Sequence, residues 1–189
     1  YLTIYLGKST TNYYYCWDEQ GLITVQDEFH LACPPSPTLE SRGLMSGNEI
    51  AIMATRNHVP NDQTVAYSTT PPTSGDHWDR WADCGFYEDG LPDERIVHNL
   101  EHGNIVVSYN LVDQRDIALL RSALDGIDLA DEWAVTRYYD KIPQGTVAIT
   151  AWGRLDTMVG VDVDRIELFF NFYTGTLGPE RISCWTGMS

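Results

Sequence analysis

Basic residues are scarce in this sequence. Only 12 Lys and Arg stand against 27 Asp and Glu, a formal charge of −15. A field of that sign repels phosphate backbones and anionic membrane surfaces, so nucleic acid is disfavoured as a partner and cations are favoured. Long apolar runs are missing as well. None approaches the roughly 20 residues of a membrane-spanning helix. Cysteine is limited to Cys16, Cys33, Cys84 and Cys184, and no two form a CxxC pair, which excludes a zinc ribbon on spacing. There is no P-loop, GxGxxG, GxSxG or EF-hand loop. The VDVDR run at 161–165 lacks the calcium-loop pattern, and Asp162 reads instead as a helix N-cap. No repeat or low-complexity segment is present. The chain opens on Tyr1 without a charged leader or cleavage site, as expected of a mature or trimmed product.

What remains is a globular composition. Apolar residues make up 43% of the 189, enough for one core domain. An even cysteine count, few Lys, 11 Tyr and 6 Trp point to an oxidising, extracytoplasmic setting. Four cysteines allow three pairings, of which Cys16–Cys33 and Cys84–Cys184 are favoured: one closes a local loop, the other ties the chain end to its middle.

Residues 1–33 carry three strand-forming stretches, YLTIYLG, YYYCW and LITVQ, and the Pro-rich CPPSP joint follows. They predict a small N-terminal β appendage over 1–45 and a core domain over 46–189. An exposed leading strand could pair with a second copy of the chain, which makes self-association into a surface assembly or filament one reading. GNEIAIMATRN at 47–57 predicts a strand. HVPNDQTVAY predicts a loop feeding a short strand, and residues 69–81 an irregular loop. LPDERIVHNLEHG at 91–103 is the clearest helix, with Pro92 in the first turn, Asp93 and Glu94 at the positive end of the dipole and Gly103 as cap. Further helices are expected over 113–126 and 163–175, and strands over 104–110, 133–139 and 146–154. The fold class is therefore α+β: a central sheet with about three helices.

Four of the five histidines, His58, His77, His98 and His102, fall within 45 residues of each other, and His30 stands apart. His98 and His102 are four apart on the predicted helix and share a face. His77 and His58 lie in Pro-constrained loops. Together they predict a transition-metal site, with copper favoured over zinc because it heads the affinity order for divalent ions. Met45, Met53 and Met158 are available as thioether donors, although no spacing places them. Glu101 is expected behind the ligands, orienting one of them. It also completes HxxEH, the inverted zincin pattern, in which it would serve as general base of a zinc hydrolase. Trp78, Trp81, Phe86 and Tyr87 flank His77 and could wall the site.

TTPPTSGDHWDRWADCGFY, LPDERIVHNLEHGNIVVSYN and VAITAWGRLD, in that order, resemble the prokaryotic family called domain of unknown function 3105, over about residues 57–182. The resemblance implies an exported or membrane-anchored protein, and assigns no activity. The family's histidines correspond to His58, His77, His98 and His102. This chain carries Asp76 where Pro is usual. The leading expectation is thus an exported copper-binding protein for sequestration or delivery. A structural subunit and a zinc hydrolase are the alternatives.

Overall fold

The computed structural model describes residues 47–185, together with the backbone of two short strands, β1 (Tyr14–Trp17) and β2 (Ile23–Gln26). The chain divides into two compact units, Tyr1–Met45 and Ser46–Ser189. In the first, β1 and β2 pair antiparallel with Tyr14 opposite Gln26. The YLTIYLG segment, His30, Met45 and the pairing Cys16–Cys33 lie outside the described residues.

The second unit is a mixed six-stranded sheet between helices. Its strands are β3 (Asn48–Glu49), β6 (Gly85–Tyr87), β7 (Ile105–Asn110), β8 (Ala134–Tyr138), β9 (Thr146–Ala151) and β10 (Arg154–Val159), in spatial order β3-β10-β9-β7-β8-β6. β6, β8 and β7 run parallel, and β9, β10 and β3 add antiparallel. A separate parallel bridge joins β4 (His58–Val59) to β5 (His77–Trp78). The helices are α1 (Asp93–Glu101), α2 (Gln114–Asp125), α3 (Ala130–Trp133) and α4 (Val163–Tyr173).

Alternation along β7 shows how the layers form. Ile105, Val107 and Tyr109 pack into one core with Leu120 and Leu124 of α2 and Phe169 and Phe170 of α4. Val106, between them, faces Ile96, Val97 and Leu100 of α1. Both faces of the strand are therefore covered, as its near-continuous apolar run requires. Each fully buried Leu, Ile or Phe contributes about 2–3 kcal/mol by leaving water.

An ion cluster pins the start of α1. Arg137 is wholly buried; it donates to Asp93 Oδ1 at 2.7 Å, the Leu91 carbonyl at 2.7 Å and Ser108 Oγ at 3.1 Å. Asp93 also accepts from Tyr139 Oη and Lys141 Nζ. Burial alone would raise the Asp93 carboxyl, but Arg137 and Lys141 outweigh it and hold the group below its usual range.

Several expected elements differ. Of 47–57 only Asn48–Glu49 is strand; the rest is mostly exposed, with Ile52 turned to solvent, so there is no sheet face to impose alternation. No strand follows at 65–67, because side chains take the polar contacts there: Glu94 accepts the Val65 N–H. The strand expected over 146–154 breaks at Trp152–Gly153, where Gly153 takes φ 69° and turns the chain into β10. α3 is an addition, giving four helices among the described residues. The other three begin and end within a few residues of expectation, and Asp113 and Asp162 cap α2 and α4 through Arg115 and Arg165 N–H.

Replacing Arg137 with Ala should cost about 3–5 kcal/mol, because Asp93 is left buried without its main partner. Urea denaturation at neutral pH measures this, and an unchanged midpoint would refute it.

Candidate metal centre

The site is assembled from three segments, and each is held independently. The β4–β5 bridge pairs His58 directly with His77, and in a parallel register paired residues project to the same side. Asp76 locks that bridge: its Oδ1 accepts the Asn57 backbone N–H at 2.7 Å, while the His77 N–H donates to the Asn57 carbonyl. Gly75, at φ 128°, makes the turn before His77; a Cβ there would lie 2.7 Å from Met53 Sδ. α1 brings the third component. His98 and Glu101 are three apart and share a face.

Asn99 fixes that helix against the incoming loop. It is fully buried, accepts the Ala82 N–H at 2.8 Å and donates to the Ala82 carbonyl at 2.8 Å. The loop carrying Trp78 and Trp81 is thereby set over the helix. At the other end, the 175–184 segment crosses the C-terminus of α1. Glu180 N–H donates to the Glu101 carbonyl and Ile182 N–H to the His102 carbonyl, each at 3.0 Å. Those carbonyls would otherwise lack helical partners. The approach is close enough that a Cβ on Gly178 would lie 2.6 Å from Gly103 Cα. Cys84 and Cys184 form the expected disulfide and close the segment covalently.

Four side chains converge. His58, His77, His98 and Glu101 each offer a ligand atom, and these atoms lie within 4.8 Å of one another. His58 is exposed and the other three are buried. Ring centroids of the three imidazoles are 4.8–5.0 Å apart. Ligand atoms on a tetrahedral ion stand about 3.4 Å apart, so a bound ion would draw this set inward.

The tautomers follow from the hydrogen bonds. His77 Nδ1 lies 2.9 Å from the Gly75 carbonyl and His98 Nδ1 lies 2.6 Å from the Trp78 carbonyl. A carbonyl can only accept, so each Nδ1 carries the proton and donates it. In the neutral ring each Nε2 is then left with a lone pair. His77 Nε2 is buried, without a hydrogen-bond partner, and 2.9 Å from Glu101 Oε2. A lone pair facing a carboxylate is repulsive unless a cation stands between them, either a proton on the ring or a metal ion. Burial, opposed by the Trp78 carbonyl and reinforced by the neighbouring rings, pushes the His98 imidazole down to about 4. At neutral pH His98 is therefore unprotonated, the form that coordinates. Nδ1 bonded to a carbonyl with Nε2 free is the usual orientation of a metal-binding imidazole.

His102 stands beside this group. Its ring centroid is 4.5 Å from that of His98 and 5.0 Å from that of Trp81. Its Nε2 faces Glu180 Oε2 at 3.4 Å, and its Nδ1 is buried without a partner. The sequence reading placed His102 among the ligands and Glu101 behind them; the converging group holds Glu101 and leaves His102 at its flank. The three-residue spacing of His98 and Glu101 was as strong a signal as the four-residue spacing of the histidines. Arg56 was not singled out. Its Nη1 donates to Glu101 Oε1 at 2.9 Å. Trp81 alone of the four aromatics covers the imidazoles. Trp78 donates from its indole to the Gln63 carbonyl, and Phe86 and Tyr87 pack into the two cores. Met158 is buried in the α2–α4 core. No sulfur ligand from it reaches the group.

The group can hold a metal ion through three imidazoles and one carboxylate. Among the described residues, no helix is long and apolar enough to cross a membrane. Residues 58–185 match the family described as Protein of unknown function (DUF3105), and the chain belongs to that family. No curated protein and no solved structure matches it.

The depressed His98 value carries a stability prediction for the metal-free protein. Below about 6.5 the unfolded chain gains a proton that the folded chain refuses until about 4. Stability is therefore complete above pH 6.5 and declines as pH falls through that window, by up to about 3 kcal/mol. Denaturation at pH 7, 5.5 and 4 should show the decline, and a His98→Gln variant should show a shallower one.

Proposed function

We propose that this domain is an exported metal-binding protein that holds one divalent transition ion, copper in the leading case, and exchanges it. The observation that supports the reading is the convergence of three imidazoles and a buried carboxylate from separate segments, two of the rings already fixed with Nε2 free. His77, His98 and Glu101 form the buried floor. His58 is the exposed ligand through which the ion enters and leaves. The donors are nitrogen and oxygen, which suits a divalent ion better than reduced copper, and copper binds tightest in the divalent series. A fully enclosed structural site would not need an exposed ligand. Sequestration or delivery fits this half-open seat. The disulfide agrees with an oxidising compartment, which supports export.

The hydrolase alternative is less well supported. Its pattern requires His98 and His102 on one ion with Glu101 free to take a proton from water. Here Glu101 Oε1 is held by Arg56, and His102 faces Glu180. The assembly alternative depends on the N-terminal segment.

Elemental analysis of untagged protein tests the ligand set. The wild type should retain stoichiometric copper through dialysis, and His77→Ala/His98→Ala should lose it. His102→Ala should keep it. Retention by the double variant, or loss in His102→Ala, would overturn the assignment. Because imidazoles must be neutral to bind, affinity should be lost as pH falls toward the His98 value of about 4.

A further inference from the structure

The charge around the proposed ion does not balance. Three neutral imidazoles contribute nothing, Glu101 contributes one negative charge, and Arg56 cancels it. A divalent ion in this seat would leave the ion, its four ligands and Arg56 with a net charge of +2, over a buried floor of His77, His98 and Glu101. Asp76, which accepts the Asn57 amide, and Glu180, which faces His102, keep their charges and offset part of this excess from outside the ligand set. An unbalanced charge of that kind is costly where water is partly excluded, and an anion relieves it.

Arg56 is built to receive one. Its guanidinium has five N–H donors in a planar fork, and a single hydrogen bond, Nη1 to Glu101 Oε1, is present. The side chain is 56% exposed, while that of Glu101 is 6% exposed. One edge of the fork is thus anchored on the site and the rest faces solvent. Arg56 also lies two residues before His58, the one exposed ligand. The solvent-facing side of the ion and the free donors of Arg56 therefore belong to the same segment. With four protein ligands the ion still has room for a fifth donor on that side, since nitrogen–oxygen sites on copper readily go beyond four.

Resting on the metal reading above, we infer that the loaded site takes a small anionic oxygen ligand, which binds the ion through one oxygen and the free edge of Arg56 through another. The ligand chemistry is that of a carboxylate or an inorganic oxyanion. No bond to carbon or phosphorus changes; the anion replaces water on the ion. Arg56 is a ligand-binding residue in this scheme, beyond its contact with Glu101.

Copper-loaded protein, with occupancy fixed by integrating its electron paramagnetic resonance signal, provides the test. Acetate and inorganic phosphate are titrated separately, following the copper spectrum. At least one should shift it saturably, and whichever does identifies the source. In Arg56→Gln at matched occupancy the dissociation constant should rise about tenfold or more, since a charge-assisted hydrogen bond is lost. Arg56→Lys, which keeps the charge without the fork, should fall between. A copper spectrum that neither anion alters would overturn the inference while leaving the metal reading intact. So would equal anion affinity in Arg56→Gln. Failure of the wild type to take up copper would overturn both.

Discussion

A carboxylate as buried as Glu101 must be balanced by positive charge, and that requirement organises the site. Leaving it unpaired inside the protein would cost several kcal/mol. The permanent cation present, Arg56, occupies Oε1 from a half-exposed position. Oε2 is left facing the lone pair of His77, whose proton is committed to the Gly75 carbonyl. A cation between the two atoms, either a proton on the ring or a metal ion, relieves that contact. Reversing the His77 tautomer is blocked by a carbonyl at 2.9 Å.

Holding such a contact demands a rigid frame, and the surrounding structure supplies it. α1 carries two members of the group and is fixed at three points. Arg137 and Asp93 hold its start to the sheet. Asn99 staples its middle to Ala82. The 175–184 segment takes up the terminal carbonyls, and Cys84–Cys184 keeps that segment in place. Each is a directional interaction, so a small shift costs a whole hydrogen bond or ion pair. The β4–β5 bridge is only two residues per strand and would be weak alone. Asp76 strengthens it by accepting the Asn57 amide.

Much of this was legible in the sequence because it depends on local rules. The helices followed from caps and dipole-matched acids: Pro92 and Asp93, Asp113, Asp162. The clustering of histidines followed from four rings near one helix and two constrained loops, and Cys84–Cys184 from pairing ends. What was not legible depends on tertiary context. The 47–57 segment has the apolar residues of a strand, but beyond Asn48–Glu49 it has no sheet partner. Glu101 and His102 are adjacent on α1, and only the path of the C-terminal segment, with Glu180 arriving opposite His102, separates their surroundings. Arg56 has no sequence signal at all, since its partner lies 45 residues away.

The overall charge of −15 bears on the site in a way that its local geometry does not. A long-range negative field draws cations toward the surface and speeds their arrival, but it weakens with salt over about 10 Å. The same field repels free anions. Arg56 counters it locally, because a guanidinium beside the ion acts at a few ångströms, where screening is slight. Cation capture is therefore a property of the whole surface, whereas anion capture is a property of one residue. Removing scattered surface acids should slow the first and spare the second. The asymmetry gives the two ligands a natural order: an anion gains little from an empty site whose single carboxylate already occupies the arginine, and much from one where the ion has tipped the balance positive.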